Sequence, residues 1–375
     1  MAALDGSLSG WLGLPVVAFA ISAISTAFAI RYAKRRRLID QPGARRSHSQ
    51  PTPRGGGIGI VVAVLLCVCV PGLLQASPIS ALTLGAAVLI VAAVGWIDDH
   101  RGLHARTRFV AHCIAALIVL LPAAASLLAL SLDVGQLVSS SFVVAWLGLI
   151  VLAFAIVWSI NLHNFMDGID GILAAQAIFV FVALAILVGV RGHDPRALAI
   201  AAFAAATLGF LPFNFPRARI FMGDVGSGVL GLLIALAVIW QFSVRETAFA
   251  SGLILCSAFV VDASCTLISR MVHGRRWYSA HREHLYQWLA RSGFSHAGVV
   301  ALYMGWNLVI VVPVVAWMNR APDLPMSIAN LHIDWTPESR IGAAAGVYLL
   351  GIVFWIAGKR YCLHSPRRRN AHASA

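Results

Sequence analysis

Long apolar runs separated by short polar stretches recur along the whole chain. About 20 apolar residues wound as a helix cross the hydrocarbon of a bilayer. On that criterion eleven spanning helices are predicted, near 11–30, 55–74, 79–97, 108–130, 141–160, 172–190, 196–213, 226–243, 248–269, 297–318 and 341–358. Several are interrupted by Gly or Pro, which membrane helices tolerate where neighbours satisfy the freed backbone groups. No repeat of fixed period and no low-complexity linker divides the sequence. Residues 1–375 therefore read as one integral domain of the all-α class, a polytopic membrane protein.

Composition removes the soluble alternative. With 59% hydrophobic residues, 11% charged residues and a mean hydropathy of +0.83, the chain is more apolar than soluble domains of any size. Cys67, Cys69, Cys113, Cys256 and Cys265 lie inside apolar runs and Cys362 in a basic stretch, so no disulfide framework is expected. The first run, Trp11 to Ile30, is followed rather than preceded by positive charge, the reverse of a secretory signal, and is expected to remain as a spanning helix.

Charge sets the orientation, because Lys- and Arg-rich loops are retained in the cytoplasm. If the first loop is cytoplasmic, that face holds 23 of the 28 Lys and Arg residues, leaving Arg191, Arg196, Arg245, Arg320 and Arg340 on the other. The N-terminus is then periplasmic or extracellular and the C-terminal stretch, basic over 359–375, cytoplasmic. The net charge of +13 falls mainly on one face, where it attracts anionic lipids and anionic soluble substrates. Nucleic acid is a poor alternative, since the basic residues are split among short loops with no recognition module.

The densest polar stretch is Asn161-Leu162-His163-Asn164-Phe165-Met166-Asp167-Gly168-Ile169-Asp170-Gly171, directly after the apolar run from Phe142 to Ile160. Asn161 and Asn164 are three apart and share a helix face, Asp167 continues the line, and Gly168 and Gly171 loosen the backbone. A polar helix end with an Asp-Gly turn is the plain alternative, and two Asp-Gly pairs with two Asn in one short stretch weigh against it. Asp98 and Asp99 end the third predicted span, and Asp224 precedes the eighth, within Phe221-Met222-Gly223-Asp224-Val225-Gly226-Ser227-Gly228. Any one of these is explained as an interfacial cap; three clusters on one predicted face are not. Hard oxygen ligands of this kind suit a magnesium ion that keeps some waters and bridges substrate phosphates. Gly223, Gly226 and Gly228 would let backbone approach such a phosphate.

The basic segments fit the same substrate chemistry. Arg45-Arg46-Ser47-His48 leads into Pro51-Thr52-Pro53-Arg54-Gly55-Gly56-Gly57, a rigid turn followed by flexible backbone, with a solvated basic turn as the alternative. The last large cytoplasmic loop carries His281-Arg282-Glu283-His284-Leu285-Tyr286-Gln287. Its histidines and Glu could suggest zinc, but no third neutral nitrogen or thiolate stands at ligand spacing, so phosphate contact is preferred.

Together, Asp98-Asp99, the Asn161–Gly171 stretch, Phe-Met-Gly-Asp-x-Gly-Ser at 221–227 and the histidine loop at 281–287 resemble the polyprenyl-phosphate N-acetylhexosamine-1-phosphate transferases over about residues 30–296. The motifs are specific jointly and weak individually. The resemblance implies a cleft at the cytoplasmic face where a sugar-1-phosphate passes from a UDP-sugar to undecaprenyl phosphate, with release of UMP. It implies magnesium as cofactor, with manganese as a substitute, held chiefly by Asp224 with help from Asn164. By the same resemblance Asp170 hydrogen-bonds the uracil, Phe221 stacks on it, and Asp98 and Asp99 serve near the acceptor phosphate. Arg282 and His284, with His281 and Arg54, look like diphosphate or sugar contacts, and Asn161 and Asp167 complete the substrate shelf. Membrane lipids surround such an enzyme, and a homodimer is compatible with it.

Two anions must meet in that reaction, so repulsion and misorientation form much of its barrier, and a metal with arginines counters both. The acceptor is already an anion at neutral pH. Direct attack and an aspartyl-phosphate intermediate both stay open. The run of consecutive histidines of the peptidoglycan branch, the phospho-N-acetylmuramoyl-pentapeptide transferases, is absent. An N-acetylhexosamine donor such as UDP-N-acetylglucosamine, for lipopolysaccharide O-antigen or another envelope polysaccharide, is therefore preferred to the pentapeptide. A secondary transporter for an anionic solute is the rival of another class, but its site belongs near the midplane between inverted repeats, and none is visible. A scaffolding membrane protein is disfavoured by so many glycine-flanked acids. Asp262, inside the ninth predicted span, is costly in lipid and reads as a functional or a pairing residue outside the catalytic set.

Overall fold

The computed structural model describes residues 8–41, 50–73, 78–133, 140–189, 194–244, 249–275, 281–319 and 336–364; the Arg45–His48 part of the first basic loop lies outside them. Helix α1 (Leu8–Arg35) ends in Lys34 and Arg35, cations that suit the negative end of a helix dipole. A minimal antiparallel ribbon follows, β1 (Ile39–Asp40) on β2 (Thr52–Pro53). Next come α2 (Ile58–Val64), a π-turn over Leu65–Cys69, α3 (Val70–Leu73), α4 (Pro78–Arg101), α5 (Ala105–Asp133), α6 (Ser140–Met166), α7 (Ile172–Gly189) and α8 (Pro195–Phe210). The chain continues through α9 (Asp224–Val244), α10 (Phe249–Leu255), α11 (Ser257–Val272), α12 (Leu285–Arg291) and α13 (His296–Trp306). A second π-turn (Asn307–Val311), α14 (Val312–Met318) and α15 (Pro337–His364) complete it.

Among the described residues, nine helices are long and apolar enough to cross a membrane. The other two predicted spans are helical but irregular. The one near 55–74 is a short apolar helix, Ile58–Gly72, that contains the first π-turn. The one near 248–269 is broken: α10 and α11 meet at 68°. The break is stabilised from α7, where the fully buried Gln176 donates to the Leu255 carbonyl at 3.2 Å and satisfies a group that the interrupted helix leaves free.

Helix α9 is the axis of the bundle. Of its apolar window 78% is buried, against 17% for α5 and for α6, whose outer faces carry exposed apolar side chains such as Leu117 and Phe154. The sequence explains the difference, because α9 begins Asp-Val-Gly-Ser-Gly-Val-Leu-Gly and small residues let neighbouring backbones approach closely. Helices α4 and α6 both pack on α9, and α5 packs on α4. At the α4 crossing Gly95 lies against the Asp224 carbonyl, where a methyl group would overlap it. At the α6 crossing Ser159 Oγ donates to the Gly231 carbonyl at 2.7 Å. These crossings bring the ends of α4 and α6 to the beginnings of α5 and α9, at one end of the bundle.

Candidate active site

Helix α9 starts where two free backbone amides need an acceptor, and Asp99 supplies it. Its Oδ1 accepts from Asp224 N at 3.2 Å and its Oδ2 from Val225 N at 3.3 Å, so a carboxylate at the end of α4 caps a helix 125 residues later. Gly223 makes the entry possible with φ at +76°, and a side chain there would crowd the Asp99 carboxylate. Asp99 is 2% exposed, and Arg54 Nε stands 3.8 Å from its Oδ1. The Arg54 guanidinium also donates to the Asp99 carbonyl.

Arg54 is placed by backbone pairing. Phe221 N donates to the Pro53 carbonyl at 2.8 Å, and Gly56 N to the Phe221 carbonyl at 2.9 Å, so residues 53–56 run parallel to Phe221. The Pro-Arg-Gly-Gly segment thus lies beside Phe-Met-Gly-Asp.

Asp98 faces the other way. Its Oδ1 accepts from Leu103 N and its Oδ2 from Arg108 Nη1 at 2.9 Å. The same Arg108 nitrogen donates to Asp224 Oδ2 at 3.0 Å. One guanidinium at the first turn of α5 therefore ties the end of α4 to the start of α9. Asp224 is 29% exposed, which leaves it open to a ligand. Asn164, in the last turn of α6, reaches the Asp224 carboxylate and donates to Ser227 Oγ at 2.9 Å.

Helix α6 ends at Met166 and the chain turns through the Asp-Gly-Ile-Asp-Gly stretch. Asp170 Oδ2 stands 3.2 Å from His296 Nδ1 and accepts from Ala218 N at 3.3 Å. Gly171 N donates to the buried Asn214 side chain at 2.8 Å, which in turn donates to the Ile220 carbonyl at 3.0 Å. Asp167 is half-buried, and its carboxyl is pushed up to about 8, first by loss of water and then by the negative charges of Asp224, Asp99 and Asp170. The cleft holds more negative charge than its own cations neutralise.

Arg54, Asp99, Asn164, Asp167, Asp170, Phe221 and Asp224 line one cleft of about 220 Å³. A larger cavity of about 520 Å³ lies among apolar side chains of α11, α13 and α15, and the chemistry points to the smaller one. Asn161 does not join the cleft: its amide donates to the Val157 carbonyl of its own helix at 2.7 Å and contacts His112. Three residues along a helix is not a full turn, and Asn161 falls on the α5 side. Gly226 and Gly228 are likewise spent on packing, against Gly57 and against Val91, and do not line the cleft; of the three glycines only Gly223 does.

The histidine loop stands beside the cleft rather than in it. His284 is 2% exposed, with ring centroids 6.4 Å from Phe165 and 5.8 Å from Tyr286, and His281 is 5.0 Å from His284. Burial lowers both imidazoles, His281 to about 4, so that His281 is neutral at pH 7. Neither they nor Arg282 line the cleft; from this part of the chain Gln287 and His296 do. Arg108, His296, Asn214 and Asp40 are residues that the sequence reading does not single out, and Gln287 it names only as part of the histidine loop. Arg108 is one of three arginines, with Arg101 and Arg106, at the mouth of an apolar run and in the sequence reads as loop charge.

The donors suit a hard cation. As ligands Asp224 would offer its carboxylate oxygens and Asn164 its amide oxygen, in a cleft lined by five carboxylates and one arginine. Among the described residues no group of three or more His, Cys, Asp or Glu is arranged to hold a metal, so an all-protein cage is absent. Magnesium does not need one, since it binds through one or two carboxylates and completes its shell with water and substrate phosphate.

The sequence is also similar to known proteins. The sequence model of glycosyl transferase family 4 matches residues 81–241, which contain Asp98, Asp99, Arg108, Asn164, Asp167, Asp170, Phe221 and Asp224. The decaprenyl-phosphate N-acetylglucosaminephosphotransferase of Mycobacterium leprae is 34% identical over 309 residues, 73% of this chain and 75% of the relative. The chain belongs to glycosyl transferase family 4. The resemblance to polyprenyl-phosphate N-acetylhexosamine-1-phosphate transferases is thereby borne out. Two relatives of lower identity extend the comparison. A probable undecaprenyl-phosphate N-acetylglucosaminyl 1-phosphate transferase of Bacillus subtilis is 27% identical over 297 residues, covering 77% of this chain and 81% of its own. The undecaprenyl-phosphate alpha-N-acetylglucosaminyl 1-phosphate transferase of Escherichia coli K12 is 25% identical over 287 residues, covering 74% and 76%.

Proposed function

We propose that this family 4 chain transfers N-acetylhexosamine-1-phosphate from a UDP-sugar to undecaprenyl phosphate and releases UMP. An oxygen of the acceptor phosphate bonds to the sugar-bearing phosphorus, the bond from that phosphorus to the bridging oxygen breaks, and UMP leaves with that oxygen. The observation that carries the reading is the meeting of Asp98, Arg108 and Asp224 at the ends of three membrane helices, beside a cleft that also holds Asp167 and Asp170. A lipid-borne phosphate and a soluble nucleotide can reach such a place together. UDP-N-acetylglucosamine is the preferred donor, its sugar part in keeping with the N-acetylglucosamine in the relatives' names. Those names give both decaprenyl and undecaprenyl carriers, which share the phosphate on which the chemistry acts.

Asp224 and Asn164 would hold the magnesium ion, which when bound neutralises phosphate charge. The rest falls to the chain's own groups. Arg54 and Arg108 present guanidinium charge to phosphate oxygens. Phe221 offers a ring face for uracil and Asp170 an acceptor for its N–H. Asp99 is buried and caps α9 with both oxygens, whereas Asp98 is more exposed and bonds the Arg108 guanidinium that is offered to phosphate, so of the adjacent pair Asp98 is the one assigned to the acceptor side. The cleft faces the cytoplasm of a bacterial inner membrane in this reading, supported by the Lys and Arg bias. The reaction would open the assembly of a cell-envelope polysaccharide such as lipopolysaccharide O-antigen.

Detergent-purified protein incubated with undecaprenyl phosphate, magnesium and a panel of UDP-sugars tests the proposal. UMP release that requires the lipid phosphate supports it, and the best sugar names the donor. Uptake of an anionic solute into vesicles without UMP release would replace it with the transporter reading.

A further inference from the structure

Asp262 sits inside the bundle on α11, 2% exposed, where a carboxylate is costly unless its oxygens are fully engaged. They are. Oδ1 accepts from Leu285 N at 2.7 Å, Trp355 Nε1 at 3.1 Å and Thr266 Oγ1 at 3.3 Å. Oδ2 accepts from Tyr303 Oη at 2.6 Å and Tyr286 N at 3.2 Å. Five donors from α11, α12, α13 and α15 converge on one side chain. Two of them are the first amides of α12, so Asp262 caps that short helix as Asp99 caps α9.

What α12 carries makes the cap matter. Its second residue, Tyr286, is fully buried, and burial pushes its hydroxyl above the ordinary tyrosine value, so it remains a donor. That hydroxyl donates to the Phe165 carbonyl at 3.0 Å, one residue before α6 ends. Gly168 lies against the same hydroxyl, so closely that a methyl group on Gly168 would overlap it. Gln287 Nε2 donates to the Tyr286 oxygen at 3.1 Å, and Gln287 lines the cleft. An unbroken path therefore runs from Asp262 through the start of α12 and the Tyr286 hydroxyl to the stretch that bears Asp167 and Asp170.

We propose that Asp262 is a positioning residue for the donor side of the cleft: through Tyr286 it fixes the Phe165–Gly171 turn and Gln287 at the place where the nucleotide-sugar is held. The part that names the donor rests on the function proposed above; the mechanical part does not. Asp262 touches no substrate in this account. The path makes no hydrogen bond to Asp98 or Arg108, so its effect falls first on the donor side.

Two variants separate the role from simple fold support. Asp262→Asn keeps the volume but turns an amide NH2 toward some of the donors. Tyr286→Phe keeps the ring and removes only the links to Phe165 and Gln287, and it serves if Asp262→Asn does not fold. Hydrogen exchange of the purified full-length protein reads the mechanical part without any substrate. Both variants should speed exchange at the 166–171 amides by roughly tenfold, the effect of one lost buried hydrogen bond, whereas Thr266→Ala should leave those amides unchanged. Faster exchange confined to 285–291, or none, would overturn the proposal and leave Asp262 as a local cap. Kinetics read the rest: KM for the UDP-sugar should rise roughly tenfold in both variants while KM for the lipid phosphate stays constant. An equal rise in both KM values, or a fall in kcat alone, would overturn the assignment to the donor side. If the wild type released no UMP while the exchange result held, the proposed function would fall and the positioning role would stand.

Discussion

Arg108 Nη1 donates to Asp224 at 3.0 Å across 116 residues of sequence, and the same nitrogen donates to Asp98 at 2.9 Å. The side chains are 31%, 29% and 13% exposed, so water screens the contacts and their value lies in geometry more than in stability. Arg108→Ala should leave the fold intact and lower kcat by on the order of 100-fold, as for loss of one preorganised donor to a phosphate. Arg108→Lys should recover only part, since an ammonium supplies charge without a planar fork. Steady-state kinetics with thermal melts check this; unchanged kcat in Arg108→Ala would remove Arg108 from the reaction.

The adjacent acids should separate under the same substitution. Asp99→Asn turns an amide NH2 toward the first amides of α9 and should lower the melting temperature along with activity. Asp98→Asn should keep the melting temperature and lose turnover. If both melted alike, the division of the pair into a helix cap and an acceptor-side group would be wrong.

Asp167 gives a pH signature. Its carboxyl holds a proton up to about 8 in the folded protein, whereas an unfolded Asp releases it near about 4. The folded state binds more protons between those values, so this group's contribution makes stability fall as pH rises through that window. Asp167→Asn cannot ionise. Without divalent ions its melting temperature should exceed that of the wild type most above pH 8, with the gap closing toward pH 4. Parallel curves would contradict the crowding of carboxylates around Asp167.

Phe221→Ala should act on the donor alone. Base stacking on an aromatic ring is worth about 1–3 kcal/mol by alanine substitution, so KM for the UDP-sugar should rise about tenfold or more with little change for the lipid. Equal affinity for UDP in wild type and variant, measured by calorimetry, would remove the uracil role.

Much of this was legible in the sequence because membrane helices announce themselves by composition and because carboxylates are scarce enough to stand out. The ends of α4, α6 and α9 were expected on one face, and Asp99, Asp167, Asp170 and Asp224 meet there. What sequence periodicity could not give was which way a polar side chain turns. Asn161 shares a helix with Asn164 yet bonds its own backbone, and Gly226 and Gly228 serve helix packing although they follow Asp224 directly. Arg108 was hidden because a cation at the mouth of a span looks like ordinary loop charge until α5 packs on α4. Asp262 could be flagged as costly, but its role depends on donors from residues 285, 286, 303 and 355, which only the fold brings together.

The central claim is that Asp224 anchors a divalent cation for transfer of a sugar-1-phosphate onto a lipid phosphate. Its most direct test is UMP release from UDP-N-acetylglucosamine and undecaprenyl phosphate, titrated with magnesium, in wild type and in Asp224→Asn protein of equal melting temperature. The account predicts magnesium-dependent release in the wild type and none above background in the variant at any magnesium concentration. Wild-type turnover in Asp224→Asn with an unchanged magnesium dependence would contradict it.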